Sequence, residues 1–211
     1  GQSELVSVLT GLMECTEGSV KLYDKDVTNL WPRQLRESGI AMIPEDRYAQ
    51  GLCRQMRISE NLIAGYHMSR KFCQMGIMNS KAISQNMDRL IEKYDIRVGD
   101  KNGYVSELSG GNAQKIIIAR EFDSDPKVLI ASQPTRGVDV GSIEFIHNKI
   151  LELSMANKAV LIVSSELSEV MGLSDRILVM YKGRIIGEVP GKGADSREIG
   201  LLMAGITASA K

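Results

Sequence analysis

An α/β fold is predicted, with buried strands alternating with amphipathic helices, and three stretches of the 211-residue chain predict it. Leu108-Ser109-Gly110-Gly111-Asn112-Ala113-Gln114 reads as a tight turn opening a helix, with Ile116, Ile117, Ala119 and Phe122 as its apolar contacts. Residues 127–135 form an apolar run of strand length that ends in the polar turn Gln133-Pro134-Thr135. Residues 159–163 form a second such run, leading to Ser164-Ser165. Short apolar runs on either side of a helical pattern suit parallel strands covered on both faces. Polar residues just beyond the carboxyl ends of such strands are where these sheets hold nucleotides.

The remaining elements follow in order. Residues 3–13 predict a helix, Glu17-Gly18-Ser19 a turn, and Val20-Lys21-Leu22-Tyr23 a strand. Trp31, before Pro32, is expected to fill a gap beside the next loop. Ser80 is the expected N-cap of a helix whose apolar face is Ile83, Met87, Leu90, Ile91 and Tyr94. Met68, Met75 and Met78 fall in an irregular loop, where core filling is the expected role and a partner groove the alternative. Gly137-Val138-Asp139 makes a turn, after which Ile143, Ile146, Ile150 and Leu153 form one face of a helix. Residues 175–180 run into Lys182-Gly183-Arg184 and a last strand at 185–189.

Gly110 and Gly111 open their helix without a Cβ to obstruct an approaching group. Unpaired N–H groups and the positive end of the helix dipole make such a start suitable for a phosphate. The same residues also suit an ordinary Ser cap after a glycine turn. The whole succession of glycine turn, strand, turn, helix, strand and hairpin resembles the ATP-binding subunit of ABC transporters, over nearly the full chain. Ser109-Gly110-Gly111 is similar to that family's signature loop, and Gln133-Pro134-Thr135 lies where the family has Glu-Pro-Thr. Gly137-Val138-Asp139 resembles its D-loop, Ser165 falls at the switch-histidine position, and Glu45 at the Q-loop glutamine. Pro44-Glu45-Asp46-Arg47 and the tail at 199–205 are similar to the second half of tandem ATPases serving sugar and nucleoside importers.

The resemblance implies a P-loop NTPase core with a mixed sheet, a small antiparallel β part that turns at Asp24-Lys25-Asp26, and an inserted α-helical subdomain. It implies one domain over 1–211, with the helical subdomain and signature loop at 52–125, the second part of the core at 126–190 and a helical tail at 191–211. Gly1-Gln2-Ser3 resembles only the end of a P-loop, so the N-terminal P-loop strand is expected to be missing and the chain a fragment. Gln2 takes the lysine position of that loop, and Gly1 and Ser3 are its remnant nucleotide contacts, Ser3 at the magnesium-ligand position.

The catalytic positions are replaced as a set. A working site uses Lys on the phosphates, Asp on magnesium, Glu on the attacking water and a His; here these are Gln2, Ser132, Gln133 and Ser165. Gln133 can hydrogen-bond water but cannot take its proton near neutral pH. Loss of a general base alone costs ~10²–10⁴ in rate, or roughly 3–5 kcal/mol of barrier. The chain's own site is therefore expected to be inactive, with no metal ligands of its own. In this family two domains pack head to tail, so the resemblance implies that Ser109, Gly110, Gly111, Asn112 and Gln114, with Asp139, serve a Mg–ATP complex held by a partner domain. Glu45 is the expected coupling residue toward the permease, and Asp46-Arg47 a local ion pair.

Charge and cysteine usage narrow the classes. Twenty-six basic residues balance 26 acidic ones, so nothing draws the chain toward nucleic acid or anionic lipid. No apolar segment approaches the roughly 18 residues of a membrane span. Cys15, Cys53 and Cys73 are scattered without a Cys-x-x-Cys pair, and His67 and His147 read as surface or packing residues. The resemblance implies a peripheral protein on the cytoplasmic face of the membrane. Its expected partners are an N-terminal nucleotide-binding domain of the same polypeptide or a second ATPase subunit, and integral membrane permease subunits. Nucleoside uptake is favoured over a simple sugar such as ribose or galactose, because Ala131-Ser132-Gln133-Pro134-Thr135 is more like the nucleoside-importer form. An autonomous ATPase, a non-catalytic scaffold and a soluble ABC-type factor acting on ribosomes or DNA are the other classes kept open.

Overall fold

The computed structural model describes residues 1–206. The chain opens on helix α1 (Gln2–Leu9), followed by a small antiparallel pair, β1 (Lys21–Leu22) and β2 (Lys25–Asp26). Helix α2 (Pro32–Ser38) starts on a proline, whose missing N–H costs nothing in the first turn. It stops at Gly39, whose φ of 103° is open to glycine, and strand β3 (Ile40–Ile43) follows at once. A single π-helical turn (Arg47–Gly51), helix α3 (Ile58–Ile63), the hairpin β4 (Cys73–Gln74) and β5 (Ile77–Met78), and helix α4 (Ser80–Lys93) come next. After a 3₁₀ turn (Val105–Glu107) the chain enters helix α5 (Gly110–Asp123), strand β6 (Val128–Ser132), helix α6 (Val140–Met155) and strand β7 (Ala159–Val163). Helix α7 (Leu167–Leu173), the hairpin β8 (Arg176–Tyr181) and β9 (Arg184–Pro190), and helix α8 (Ser196–Met203) complete the described chain.

Strands β3, β6 and β7 form a parallel sheet with β6 in the middle, in register Ile40 to Val128 and Val128 to Ala159. Side chains alternate across a strand, and here the alternation sorts them into two cores. Ala41, Ile43, Leu129 and Ala131 face the larger cluster, where Ile116, Ile117 and Ile118 of α5 and Ile146 and Ile150 of α6 pack. Ile40 and Ile130 face the smaller one, with Val6 of α1 and Leu35 of α2. That two-sided burial is why β6 reads as an unbroken apolar run. A third cluster, Ile177, Val179, Val189 and Ile199, joins β8, β9 and α8.

Helix α5 buries nearly every face, including charged ones. Glu121 is wholly inaccessible and takes three donors: Arg36 Nη1 at 2.7 Å, Arg120 Nε at 2.8 Å and the Tyr66 hydroxyl at 3.2 Å. Burial works against the Arg36 charge, but the adjacent Glu121 carboxylate outweighs it and raises its pKa. Arg120 also donates to the carbonyls of Gly51 and Asn61, so the cluster ties α2, the π-helical turn and α3 to α5.

Several local expectations are corrected. The cap of α4 is Asn79, whose Oδ1 accepts from the Ala82 N–H at 3.0 Å, and Ser80 is the first helical residue. Trp31 fills no gap; it precedes α2 with 77% of its surface exposed. Met75 and Met78 lie in a hairpin and Met68 in the turns before it, all three exposed rather than core-filling, Met75 at the tip with φ 51°. Of the expected tail at 191–211, residues 207–211 lie outside the described residues.

Candidate functional site

Three parallel strands bring their carboxyl ends to one edge, and with them Glu45, Gln133 and Ser165. Gln133 sits just past β6 with φ 47°, a left-handed conformation unfavourable for a non-glycine residue, and its N–H donates to the Val163 carbonyl at 2.7 Å. Its side-chain Oε1 accepts from both the N–H and the hydroxyl of Ser165, at 3.3 and 3.2 Å. The two residues expected at the water-activating and switch positions therefore bond to each other, and neither can act as a base near neutral pH. Ser132, one residue earlier, is buried, whereas Gln2 at the start of α1 is exposed and Gly1 abuts Gly183 and Met180 of the β8–β9 hairpin.

Glu45 joins this edge to its surroundings. Its Oε1 receives Arg136 Nη1 at 2.7 Å, and its Oε2 lies 3.5 Å from the Ser3 hydroxyl. The expected Asp46–Arg47 ion pair does not form. Asp46 instead accepts from the N–H groups of Tyr48 and Ala49, which cap the π-helical turn and hold its carboxyl below the ordinary value. Arg47 reaches elsewhere: Nη1 donates to the Gly110 carbonyl at 2.9 Å and Nη2 to the Arg136 carbonyl.

On the other side of Arg47 lies the Ser-Gly-Gly turn. Ser109 caps α5, its hydroxyl accepting from the Asn112 N–H at 3.4 Å and from the Asn112 side chain at 3.0 Å. The first amides of a helix have no partner within it, and capping by Ser109 leaves those of Gly110, part-exposed, and Gly111, buried, without one. Gly111 has a steric reason as well: a Cβ there would lie 2.6 Å from Asp139 Oδ2 and 2.4 Å from Ser142 Oγ. Asp139 caps α6 through Ser142, accepting from its hydroxyl at 2.8 Å and its N–H at 3.0 Å; those bonds, the hydroxyl first, hold the carboxyl below the usual range.

Not every expected member of this group faces the turn. Gln114 was expected to reach a partner's nucleotide, but it is 3% exposed and donates to the Pro134 carbonyl at 2.8 Å. The helical period places it toward the sheet, more than a full turn past Ser109. Asn112 spends its side chain locally, accepting from the Arg97 N–H at 2.8 Å. Arg47, Arg136 and Ser142 carry contacts that the sequence reading did not assign. The spacing of Asp139 and Ser142 is a cap signal visible in sequence. Arg47 gives no local signal, since its partners lie 63 and 89 residues away.

Chemically, the two halves of this surface differ. Magnesium takes hard oxygen ligands, commonly carboxylates, and Ser132 and Gln133 offer a hydroxyl and an amide. Among the described residues no group of three or more His, Cys, Asp or Glu could hold a metal ion. At the end of β6 the edge thus presents a hydroxyl and an amide, and its carboxylate Glu45 is paired with Arg136. The unpaired amides at the start of α5 lie at the positive end of a 14-residue helix, a setting that suits an anion.

Comparison with known proteins places these residues in a wider group. Residues 1–136 match the family model described as ABC transporter. The guanosine import ATP-binding protein NupO of Bacillus subtilis is 45% identical over 207 residues, which is 98% of this chain and 41% of NupO. The nucleoside import ATP-binding protein NupA of Lactococcus lactis is 42% identical, over 97% of this chain and 40% of NupA. A ribose import ATP-binding protein of Rhizobium meliloti is 35% identical over 98% of this chain and 40% of its own length. The chain thus spans about two fifths of the length of the curated relatives it matches. Among solved structures, a nucleotide-free ATP-binding cassette from an ABC transporter superposes with a TM-score of 0.75 at 27% identity, covering 91% of this chain and 77% of that one. An ADP-bound cassette gives 0.73 at 26% identity, over 97% of this chain and 80% of its own. The α/β fold with a parallel sheet and a helical subdomain is the one these cassettes have.

Proposed function

Because the chain belongs to the ABC transporter family, we propose that it is the second, degenerate nucleotide-binding domain of a tandem import ATPase. Its own half-site is inactive, and its signature turn completes an ATP site held by a catalytic partner domain. The observation that carries this reading is the bond between Gln133 and Ser165, which ties the two water-handling positions into a neutral pair. The signature turn, by contrast, keeps two glycines, open amides and a fixed neighbour in Asp139.

Bound Mg–ATP would bring the scissile phosphate and its neutralising metal, both held by the partner. This chain's share is positioning and charge stabilisation. The amides of Gly110 and Gly111 and the end of the α5 dipole would face developing negative charge, with Ser109 holding the turn open for them. Asp139 would line the same interface, and Gly1 and Ser3 would edge the degenerate site. Glu45, bonded to both Ser3 and Arg136, would be the residue that couples this edge to a permease. In this reading residues 52–125 are the helical subdomain, 126–190 the second part of the core and 191–211 a helical tail. The assembly sits on the cytoplasmic face of a membrane; no helix among the described residues is long and apolar enough to cross one.

Nucleosides are the favoured cargo, supported by the 45% and 42% identity to proteins named for guanosine and nucleoside import against 35% for one named for ribose. Simple sugars remain the second reading. Uptake of labelled nucleoside against labelled ribose by cells carrying the parent transporter separates the two.

The composite site is tested by Gly110→Asp in the assembled transporter. The added Cβ meets the Gly137 carbonyl at 3.3 Å, a tight contact, and Arg47 Nη1 at 3.6 Å supplies a counter-charge, so the domain is expected to fold. A carboxylate at the helix start would repel the phosphate, and ATP turnover should fall by at least ~100-fold, the scale of losing an oxyanion donor. Turnover near the native level in a normally assembled complex would refute the reading.

A further inference from the structure

The signature turn is held in place by a residue outside it. Arg47 leaves the sheet edge on the π-helical turn that Asp46 caps, and its guanidinium bonds two backbone carbonyls on two separate segments. One is Gly110, in the signature turn, and the other Arg136, in the turn that leads to Asp139. Those turns abut so closely that a Cβ on Gly110 would lie 3.3 Å from the Gly137 carbonyl. Gly137 itself adopts φ 65° and leaves room for Arg47, whose Nη2 would lie 3.0 Å from a Cβ placed there. The rest of Arg136 is anchored separately, its guanidinium on Glu45, whose second oxygen meets Ser3. A planar guanidinium presents donors in a fixed fork and can hold two acceptors at a set separation, which an ammonium on a flexible stem does not.

We infer that Arg47 is a positioning residue for the composite ATP site, fixing the signature turn relative to the Asp139 turn where both meet the partner's nucleotide. The inference rests on the division of labour proposed above. The two donors that bond are aimed at carbonyls, so Arg47 acts through the backbone of Gly110 and of Arg136, at the head of the Asp139 turn. Its loss therefore alters the geometry of the bound phosphate more than its affinity, and displacements of about an ångström at such sites cost up to ~10²-fold in rate.

The test uses the assembled parent transporter with Arg47→Met, which keeps the aliphatic stem and removes the donors, and Arg47→Lys, with Gly110→Asp alongside. Arg47→Met is expected to lower kcat roughly tenfold while KM for ATP stays within about twofold. Arg47→Lys should recover part of the loss, because one carbonyl can still be reached. Assembly and the thermal midpoint should match the native protein. Native kcat in Arg47→Met with collapse in Gly110→Asp would overturn the inference and leave the composite-site reading standing. Native turnover in Gly110→Asp would overturn both. A loss that follows a lowered thermal midpoint or poor assembly would make Arg47 a fold residue only, and a raised KM at native kcat would make it a binding residue; either overturns the inference.

Discussion

Gly111→Ala and Gly141→Ala exchange the same residue types in the first turns of two neighbouring helices, yet opposite outcomes are expected. At Gly111 the new methyl would lie 2.4 Å from Ser142 Oγ and 2.6 Å from Asp139 Oδ2. Those atoms bond each other at 2.8 Å, and Asp139 also caps α6 at 3.0 Å, so Asp139 yields only by weakening the cap and Ser142 only by giving up its hydroxyl bond. Losing such a cap costs about 1 kcal/mol. Overpacking adds ~1–3 kcal/mol, and the gain in helix propensity returns roughly 0.5–1 kcal/mol. The net loss is about 1–3 kcal/mol, or a fall in Tm of roughly 3–10 °C for a chain of this size. At Gly141 the methyl meets only Asp139 Oδ1 at 3.5 Å, an ordinary contact. There the propensity gain stands alone and Tm should rise by roughly 1–3 °C. Thermal unfolding of the two variants, with Gly111→Ala/Ser142→Ala as a third, checks this. Removing the serine hydroxyl should restore part of the loss. Equal midpoints for Gly111→Ala and Gly141→Ala would refute the contact between the two turns.

Two further outcomes concern charge. Glu121→Gln removes the anion shared by Arg36 and Arg120 in a closed interior, and urea unfolding should show a loss of ~3–5 kcal/mol, as for a broken buried pair; a change under ~1 kcal/mol would mean the arginines find other partners. Asp123 is bridged twice by Arg89, at 2.7 and 2.6 Å; partial burial raises its pKa, but those bonds outweigh it and leave the carboxyl below its ordinary value. A lowered folded pKa stabilises above the unfolded value and is lost as pH falls through the folded one. The stability gap between native protein and Asp123→Asn should therefore be about 1 kcal/mol near neutrality, discounted for solvent screening. It should close below roughly pH 4, where the unfolded carboxyl is protonated. A gap independent of pH would rule out the pair as its source.

Much of the fold was legible because periodicity reports burial. The run at 127–135 marked β6, and the spacing of Ile143, Ile146, Ile150 and Leu153 marked one face of α6, of which all but the half-buried Ile143 are buried, since a side chain's direction follows from its place in a strand or helix. The signature turn was legible for a similar reason, as only a small residue fits where Gly111 meets Asp139. Contacts between segments distant in the chain were not legible. The resemblance gives Gln114 a role at a partner's nucleotide, but the helix rotates it beneath Pro134. Arg47 was paired with its neighbour Asp46, whereas backbone amides close to hand took that carboxylate and freed the arginine for carbonyls across the molecule. The exposed Met75 shows a limit of another kind, for hydrophobicity alone does not say whether a hairpin tip finds anything to pack on.

Helix α5 begins at the signature turn and ends near the Glu121 cluster, so its two ends lie about 20 Å apart at 1.5 Å per residue. Eleven of its residues are buried, and bending such a rod would break close packing along its whole length. A shift imposed where Arg120 grips Gly51 and Asn61 would therefore be carried toward Gly110 by one stiff element, like a push on one end of a connecting rod. The helix is one continuous rod between the α2–α3 side of the domain and the surface that carries Ser109, Gly110 and Gly111.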